Sequence, residues 1–244
     1  RTLEPTLIMA DQLPDLRVPL LRYAPIQFLL SLCAGFYIAF PLLGPYRLLV
    51  HMIEEHGLVP ALCLCPVAYV MYGVQLCLAI ALTKWLLLFR IKPSVHRLGS
   101  FYHLRWWFVD RLVSYANLLF LDNLRGTPML NLFYNSLGAS ISLSVYLDTV
   151  DITAYDLVSI KEGSVVLSGA GIRGHSIEEG ELVFGTVELH ENCYVGPKSI
   201  ILPDTVINPH AIVRPMSVVR GFMVEGVVEG SPPSPVPEHG HENN

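Results

Sequence analysis

The chain has 244 residues, a formal net charge of −5, 15% charged residues and 52% hydrophobic ones. That length fits one large or two small domains, and the crowding of the charge deficit before residue 90 argues for two. The net negative charge and the lack of a basic stripe exclude nucleic acid as a partner.

Residues 1–23 read as a cytoplasmic N-terminal segment. No cleavable signal is evident and the first residue is Arg1, so the sequence is expected to be a piece of a longer chain. Residues 24–46 and 57–83 contain no Asp, Glu, Lys or Arg, and each run exceeds the roughly 20 apolar residues that cross a bilayer. They predict a two-helix transmembrane hairpin over 24–83, kinked or capped by Pro25, Pro41, Gly44, Pro60 and Pro66. Arg17 and Arg22 precede the first span, and Lys84, Arg90, Lys92 and Arg97 follow the second, whereas the connector Arg47–His56 sets one Arg against Glu54 and Glu55. The positive-inside rule therefore places both outer flanks in the cytoplasm.

Residues 84–138 are rich in Trp, Tyr, Phe and Arg and predict an interfacial helical connector, with Trp85, Trp106, Trp107, Tyr102 and Tyr115 in the headgroup zone. Arg105, Asp110 and Arg111 read as the charges of a helix docked at the lipid surface, with a ligand-binding polar cluster as the alternative. Four of the five cysteines (Cys33, Cys63, Cys65, Cys77) fall in the spans. None of the five has metal or redox spacing, so no metal site is expected.

The second half changes period. Leu189, Val195, Ile201, Ile207 and Val213 recur six apart, and Cys193, Ser199, Thr205, Ala211 and Ser217 follow each by four. A six-residue period fits neither a helix face nor an alternating strand; it predicts a parallel β-helix whose coils stack identical inward side chains. Ile160, Val166 and Ile172 extend the ladder upstream, as do Ile141 and Leu147, with a residue gained before Ile160 and a slip of one between Ile172 and Leu189. The second break holds residues 174–185, expected as a loop outside the stack. The β-helix is placed at 139–228. His190 and His210 point outward, and Cys193 is buried in a small-residue slot. Residues 229–244, rich in Pro and polar side chains, predict a disordered tail in which His239 and His241 would hold metal only adventitiously.

The runs YHLRWWFVDRL (102–112), GTPMLNLFYNSLGA (126–139), LDTVDITAYDLVSIKEGSVV (147–166) and IRGHSIEEGEL (172–182) together resemble the carboxy-terminal region of the poly-lysine-synthetase-like nonribosomal peptide synthetases, over roughly residues 80–220. In that family an adenylation domain and a carrier domain precede membrane helices and acyltransferase-like units. The resemblance implies a left-handed β-helix of the hexapeptide-repeat transferase superfamily and, with the spans, a mixed fold class: two transmembrane α-helices and interfacial helices, then the β-helix. This sequence has no adenylation signature and no carrier serine motif, and it holds one solenoid where longer members look tandem. The implied partners are an adenylation and a carrier domain, the lipid bilayer and an amine acceptor, with a trimer or tandem neighbours open.

Amide formation from a thioester needs a base for the attacking nitrogen and donors for the oxyanion, here expected from backbone amides of the coil turns. His175 follows Gly174 and opens the broken coil, and the resemblance implies a catalytic histidine at such a corner. Asp148 and Asp156, with Asp151 as a weaker third, bracket the other irregular coil and are candidates for holding a cationic acceptor or orienting the imidazole. Glu178 and Glu179 are candidates for an ammonium. The domain itself is expected to bind no cofactor; its donor is a carrier phosphopantetheine thioester or acyl-coenzyme A. The expected function is a membrane-tethered, amide-forming acyltransferase with its β-helix on the cytoplasmic side. The alternatives are an acyl-coenzyme A-dependent hexapeptide acetyltransferase and a non-catalytic docking β-helix.

Overall fold

Proline and glycine decide where the first apolar stretch bends and where it turns back. In the computed structural model, which describes residues 20–221, 226–229 and 234–235, helix α1 (Leu20–Ala39) passes through one 3₁₀ turn at Phe40–Leu42 and continues as α2 (Leu43–His56). Pro41 and Pro45 lack the N–H that an unbroken α-helix would use there. Gly57, at φ 86°, then reverses the chain into α3 (Leu58–Leu87). The connector expected at 47–56 is thus helical, because no breaker occurs before Gly57. Tyr23–His56 and Leu58–Leu87 are both long and apolar enough to cross a membrane. At 1.5 Å per residue α3 is about 45 Å long, so a crossing would leave some 15 Å of it beyond a hydrocarbon core of about 30 Å.

After α3 comes a short strand, β1 (Ser94–Arg97), and then α4 (Phe101–Leu119), whose cap Ser100 accepts a hydrogen bond from the His103 N–H at 3.2 Å. A 3₁₀ turn at Leu121–Leu124 leads to α5 (Pro128–Ser136). These helices pack on protein at both ends of the connector. Helix α4 packs against both α1 and α3, and Leu112, Val113 and Ala116 share one core with Ala34, Ile38, Leu76 and Ile80. Trp106 is buried against the β-helix rather than set among headgroups. The apolar stripe of this helix finds protein on two sides.

The hexad ladder closes as expected into a left-handed parallel β-helix with three faces. The first stacks β2 (Ser140–Ile141), β5 (Val158–Ile160), β10 (Val187–Leu189) and β13 (Thr205–Ile207). The second stacks β3 (Tyr146–Leu147), β6 (Val165–Val166), β11 (Tyr194–Val195), β14 (Ile212–Val213) and β16 (Val227–Glu229). The third stacks β4 (Ile152–Thr153), β7 (Gly171–Arg173), β12 (Ile200–Ile201) and β15 (Val218–Val219). Leu189, Val195, Ile201, Ile207 and Val213 all lie inside, as do Cys193, Ser199, Thr205, Ala211 and Ser217. The residue before each small slot (Asn192, Lys198, Asp204, His210, Met216) takes a left-handed φ between 56° and 62°, which turns each corner. A short β17 (Ser234–Pro235) pairs antiparallel with β16. The rest of the expected tail, like residues 1–19, lies outside the described residues.

The second break is an insertion. Seventeen positions separate Ile172 from Leu189, where one hexad takes six, and the surplus forms the antiparallel hairpin β8 (His175–Glu178) and β9 (Glu181–Phe184). Strand β1 adds to β9 and makes a three-stranded sheet, so the expected loop is a structured flap fastened to the connector. Leu182 and Phe184 pack under it with Trp106, Val109, Leu88 and Ile91.

One buried ion pair locks helices to coils. Lys84 Nζ, on the last turn of α3, lies 2.8 Å from Asp156 Oδ1, and both side chains are sealed from solvent. Nζ also donates to the Phe89 carbonyl at 2.8 Å, while Asp156 Oδ2 accepts from the Ile91 N–H at 3.1 Å. Gly138, at φ 106°, leaves the room: a Cβ there would stand 2.3 Å from Asp156 Oδ1. Removing one partner strands a buried charge, so Lys84→Ala should cost about 3–5 kcal/mol. Replacing both, Lys84→Met with Asp156→Leu, should restore most of that loss, as read by thermal unfolding of the full chain in detergent.

Candidate active site

A cleft of about 370 Å³ opens where α4 crosses the first coils of the β-helix. On the helix side stand His103, Trp106, Trp107, Asp110, Arg111, Ser114 and Asn117. Their spacing of three and four puts them on one helix face, and at 1.5 Å per residue that row is about 21 Å long. Facing it from the coils are Val150, Asp151, Thr153, Tyr155, Arg173, His175 and Ile177.

His175 is the first residue of the hairpin. Side chains alternate along β8, so His175 and Ile177 face the cleft while Ser176 and Glu178 face away. Its Nδ1 lies 2.9 Å from Thr153 Oγ1, and the Trp106 ring meets the imidazole edge-on with centroids 4.6 Å apart. Gly174 makes this approach possible, since a Cβ there would come within 2.9 Å of the Ala154 Cβ and 3.2 Å of the Thr153 carbonyl. Burial lowers the imidazole pKa to about 4; the charge of Arg173 acts the same way and Asp151 opposes it. The ring is therefore neutral near pH 7.

Two ion pairs flank it, Asp110 Oδ2 with Arg111 Nη2 at 3.1 Å and Asp151 Oδ2 with Arg173 Nη2 at 3.2 Å. Burial raises the Asp110 pKa, Arg111 counters it, and Asp151 adds to the rise, so the two carboxylates sense one another. Asn117 donates Nδ2 to the Val150 carbonyl at 3.1 Å, and its buried Oδ1 has no hydrogen-bond partner among the described residues.

Of the acidic candidates from sequence, the structure brings only Asp151 to His175. Asp156 is a correction, because its carboxylate is consumed by Lys84 and the Ile91 N–H and has no open face for an acceptor. Asp148 lies 3.9 Å from Arg125 and outside the cleft. Glu178 pairs with Ser176 and Arg220 on the far side of β8; those bonds hold its pKa below the ordinary carboxylate value. Glu179 is exposed at the hairpin turn, at φ 49°. Asp110 and Arg111, read from sequence as lipid-surface charges, line the cleft instead, while Arg105 donates to the Leu87 carbonyl at the end of α3. Trp106 and Asp110 stand four apart on one helix face, a signal available in sequence. Thr153 carried none, since its partner lies 22 residues away.

Residues 186–221 match the family model described as bacterial transferase hexapeptide (six repeats). Over 157 residues, 63% of its length, the chain is 34% identical to a delta-poly-L-ornithine synthetase of Acinetobacter baumannii (strain AB307-0294), of which it spans 12%. Among solved structures, a hexapeptide-repeat-containing acetyltransferase of Vibrio cholerae superposes with a TM-score of 0.37 at 14% identity, covering 51% of this chain and 89% of that one. A serine acetyltransferase of Neisseria gonorrhoeae, in complex with serine, gives 0.31 at 14% identity, covering 81% and 68%.

The partial burial of His175 has a measurable consequence. In ¹⁵N-histidine NMR of the full chain in micelles, His175 should titrate near pH 4, and Trp106→Ala, by admitting water, should move the midpoint toward 6.5. Because the folded value lies below the unfolded one, the unfolded chain holds the extra proton between these limits. Stability is whole above pH 6.5 and falls as the pH drops toward 4.

Proposed function

We propose that this chain is a membrane-anchored acyltransferase unit that joins an aminoacyl thioester to an amine, with His175 as general base. The observation that carries the reading is a neutral imidazole, held at Nδ1 and packed on Trp106, lining the cleft between helix and coils. The similarity to a delta-poly-L-ornithine synthetase supports amide formation between amino acids as the reaction class. A carrier-borne phosphopantetheine arm is long, thin and rich in amide N–H groups. The cleft suits such a guest, with His103, Ser114 and Asn117 along the helix wall.

The amine nitrogen attacks the thioester carbonyl and acquires positive charge as the C–N bond forms. The imidazole, neutral near pH 7, then takes a proton from that nitrogen. The tetrahedral species collapses with cleavage of the C–S bond, and the leaving sulfur takes the proton back from the imidazolium. Backbone amides of the coil corners are the proposed oxyanion donors. Asp110 and Asp151, in place of Asp148 and Asp156, are the groups proposed to hold a cationic acceptor. The basic residues Arg22, Arg90, Lys92 and Arg97 flank the helical hairpin on the β-helix side, which supports a cytoplasmic β-helix under the positive-inside rule.

The test supplies the full chain in micelles with an aminoacyl-pantetheine thioester and an amine acceptor, and follows product by mass spectrometry. His175→Ala should lower the rate by about 10²–10⁴-fold; an undiminished rate overturns the base assignment. Asp110→Asn should raise KM for a diamine by about tenfold and leave a monoamine unaffected.

A further inference from the structure

Histidine bases need a partner that fixes which nitrogen carries the proton, and carboxylates are the familiar choice. Here, among the described residues, no carboxylate is hydrogen-bonded to the ring: Asp151 pairs with Arg173, Asp110 with Arg111, Asp156 with Lys84 and Glu178 with Ser176 and Arg220. What touches the ring nitrogen is a hydroxyl, Thr153 Oγ1, 2.9 Å from Nδ1.

The backbone brings it there by construction. Strands β4 and β7 pair in parallel with Thr153 opposite Arg173, and the Gly174 N–H donates to the Thr153 carbonyl at 3.3 Å. Ala154, at φ 54°, ends β4 immediately after the threonine. The close approach at Gly174 then sets the first hairpin residue over the Thr153 side chain. Trp106 and Phe184 border the ring, with centroids 4.6 and 6.4 Å away, and limit its rotation.

We propose that Thr153 is the positioning residue of the site: its Oγ accepts from the His175 Nδ1–H and so leaves the Nε2 lone pair bare toward the cleft. The inference rests on the reading of His175 as a base. A neutral imidazole has a single N–H. If the hydroxyl donated instead, Nε2 would carry that hydrogen and could accept no proton from an amine. The charges facing the ring (Arg173 and Asp151 from the coils, Asp110 and Arg111 from α4) leave this choice to the hydroxyl, since each is paired elsewhere.

The experiment reads tautomer and rate separately, on the full chain in micelles. In ¹⁵N-histidine spectra at neutral pH, the parent and Thr153→Ser should show His175 protonated at Nδ1, and Thr153→Val should shift it toward Nε2–H. In the thioester assay Thr153→Val should lose about 10–10²-fold in kcat with KM changed less than twofold, and Thr153→Ser should recover to within about threefold. A parent protonated at Nε2, a result that needs no variant to fold, overturns the proposal; so does an Nδ1–H signal unmoved by the valine. Nδ1–H in the parent together with undiminished turnover by His175→Ala would sustain the Thr153 assignment and overturn the base reading instead.

Discussion

A lysine at the end of an otherwise uncharged helix and an aspartate on the first irregular coil neutralise one another out of contact with water, and the rest of the molecule is arranged around that contact. Burying either charge alone would be prohibitive, so α3 and the mouth of the β-helix have essentially one way to meet. Lys84 holds the Phe89 carbonyl and Asp156 holds the Ile91 N–H, so the pair also shapes the chain just beyond the helix. From there the backbone enters β1, which joins the hairpin, and then α4, which packs against both α1 and α3.

The cleft is a product of that docking. Neither unit holds the site alone: α4 supplies Trp106, Asp110, Arg111 and Asn117, and the coils supply Thr153, Asp151, Arg173 and His175. A half-buried imidazole beside an indole is unfavourable to charge, so the ring stays neutral at neutral pH with one lone pair free, at the cost of being a weaker base. The hairpin that carries His175 sits on its own small core of Leu182, Phe184, Trp106 and Val109, separate from the ladder inside the β-helix. The chemistry is thus placed where the repeat has been interrupted, and the stack above and below remains regular.

Two numerical coincidences in the chain concealed parts of this. Seventeen positions between Ile172 and Leu189 look like three hexads less one residue, yet they are a single hexad step and an inserted hairpin. Aspartates at 148, 151 and 156 look interchangeable around the irregular coil, but one meets Arg125, one lines the cleft and one is locked to Lys84. Lys84 itself reads as a membrane-flanking charge, because nothing local announces a partner 72 positions away.

The sequence alone determined the β-helix, its inward ladder, the small-residue slots and the two long apolar helices, together with His175 as the histidine at the broken coil. Each of these is written in a local period or a local run, where one residue type recurs because every turn meets the same surroundings. Only the tertiary structure decided which acid faces the histidine, that Thr153 touches it, that Trp106 dries it and that α4 forms the opposite wall. Those contacts join positions far apart in the chain through packing and charge neutralisation, and neither leaves a periodic trace.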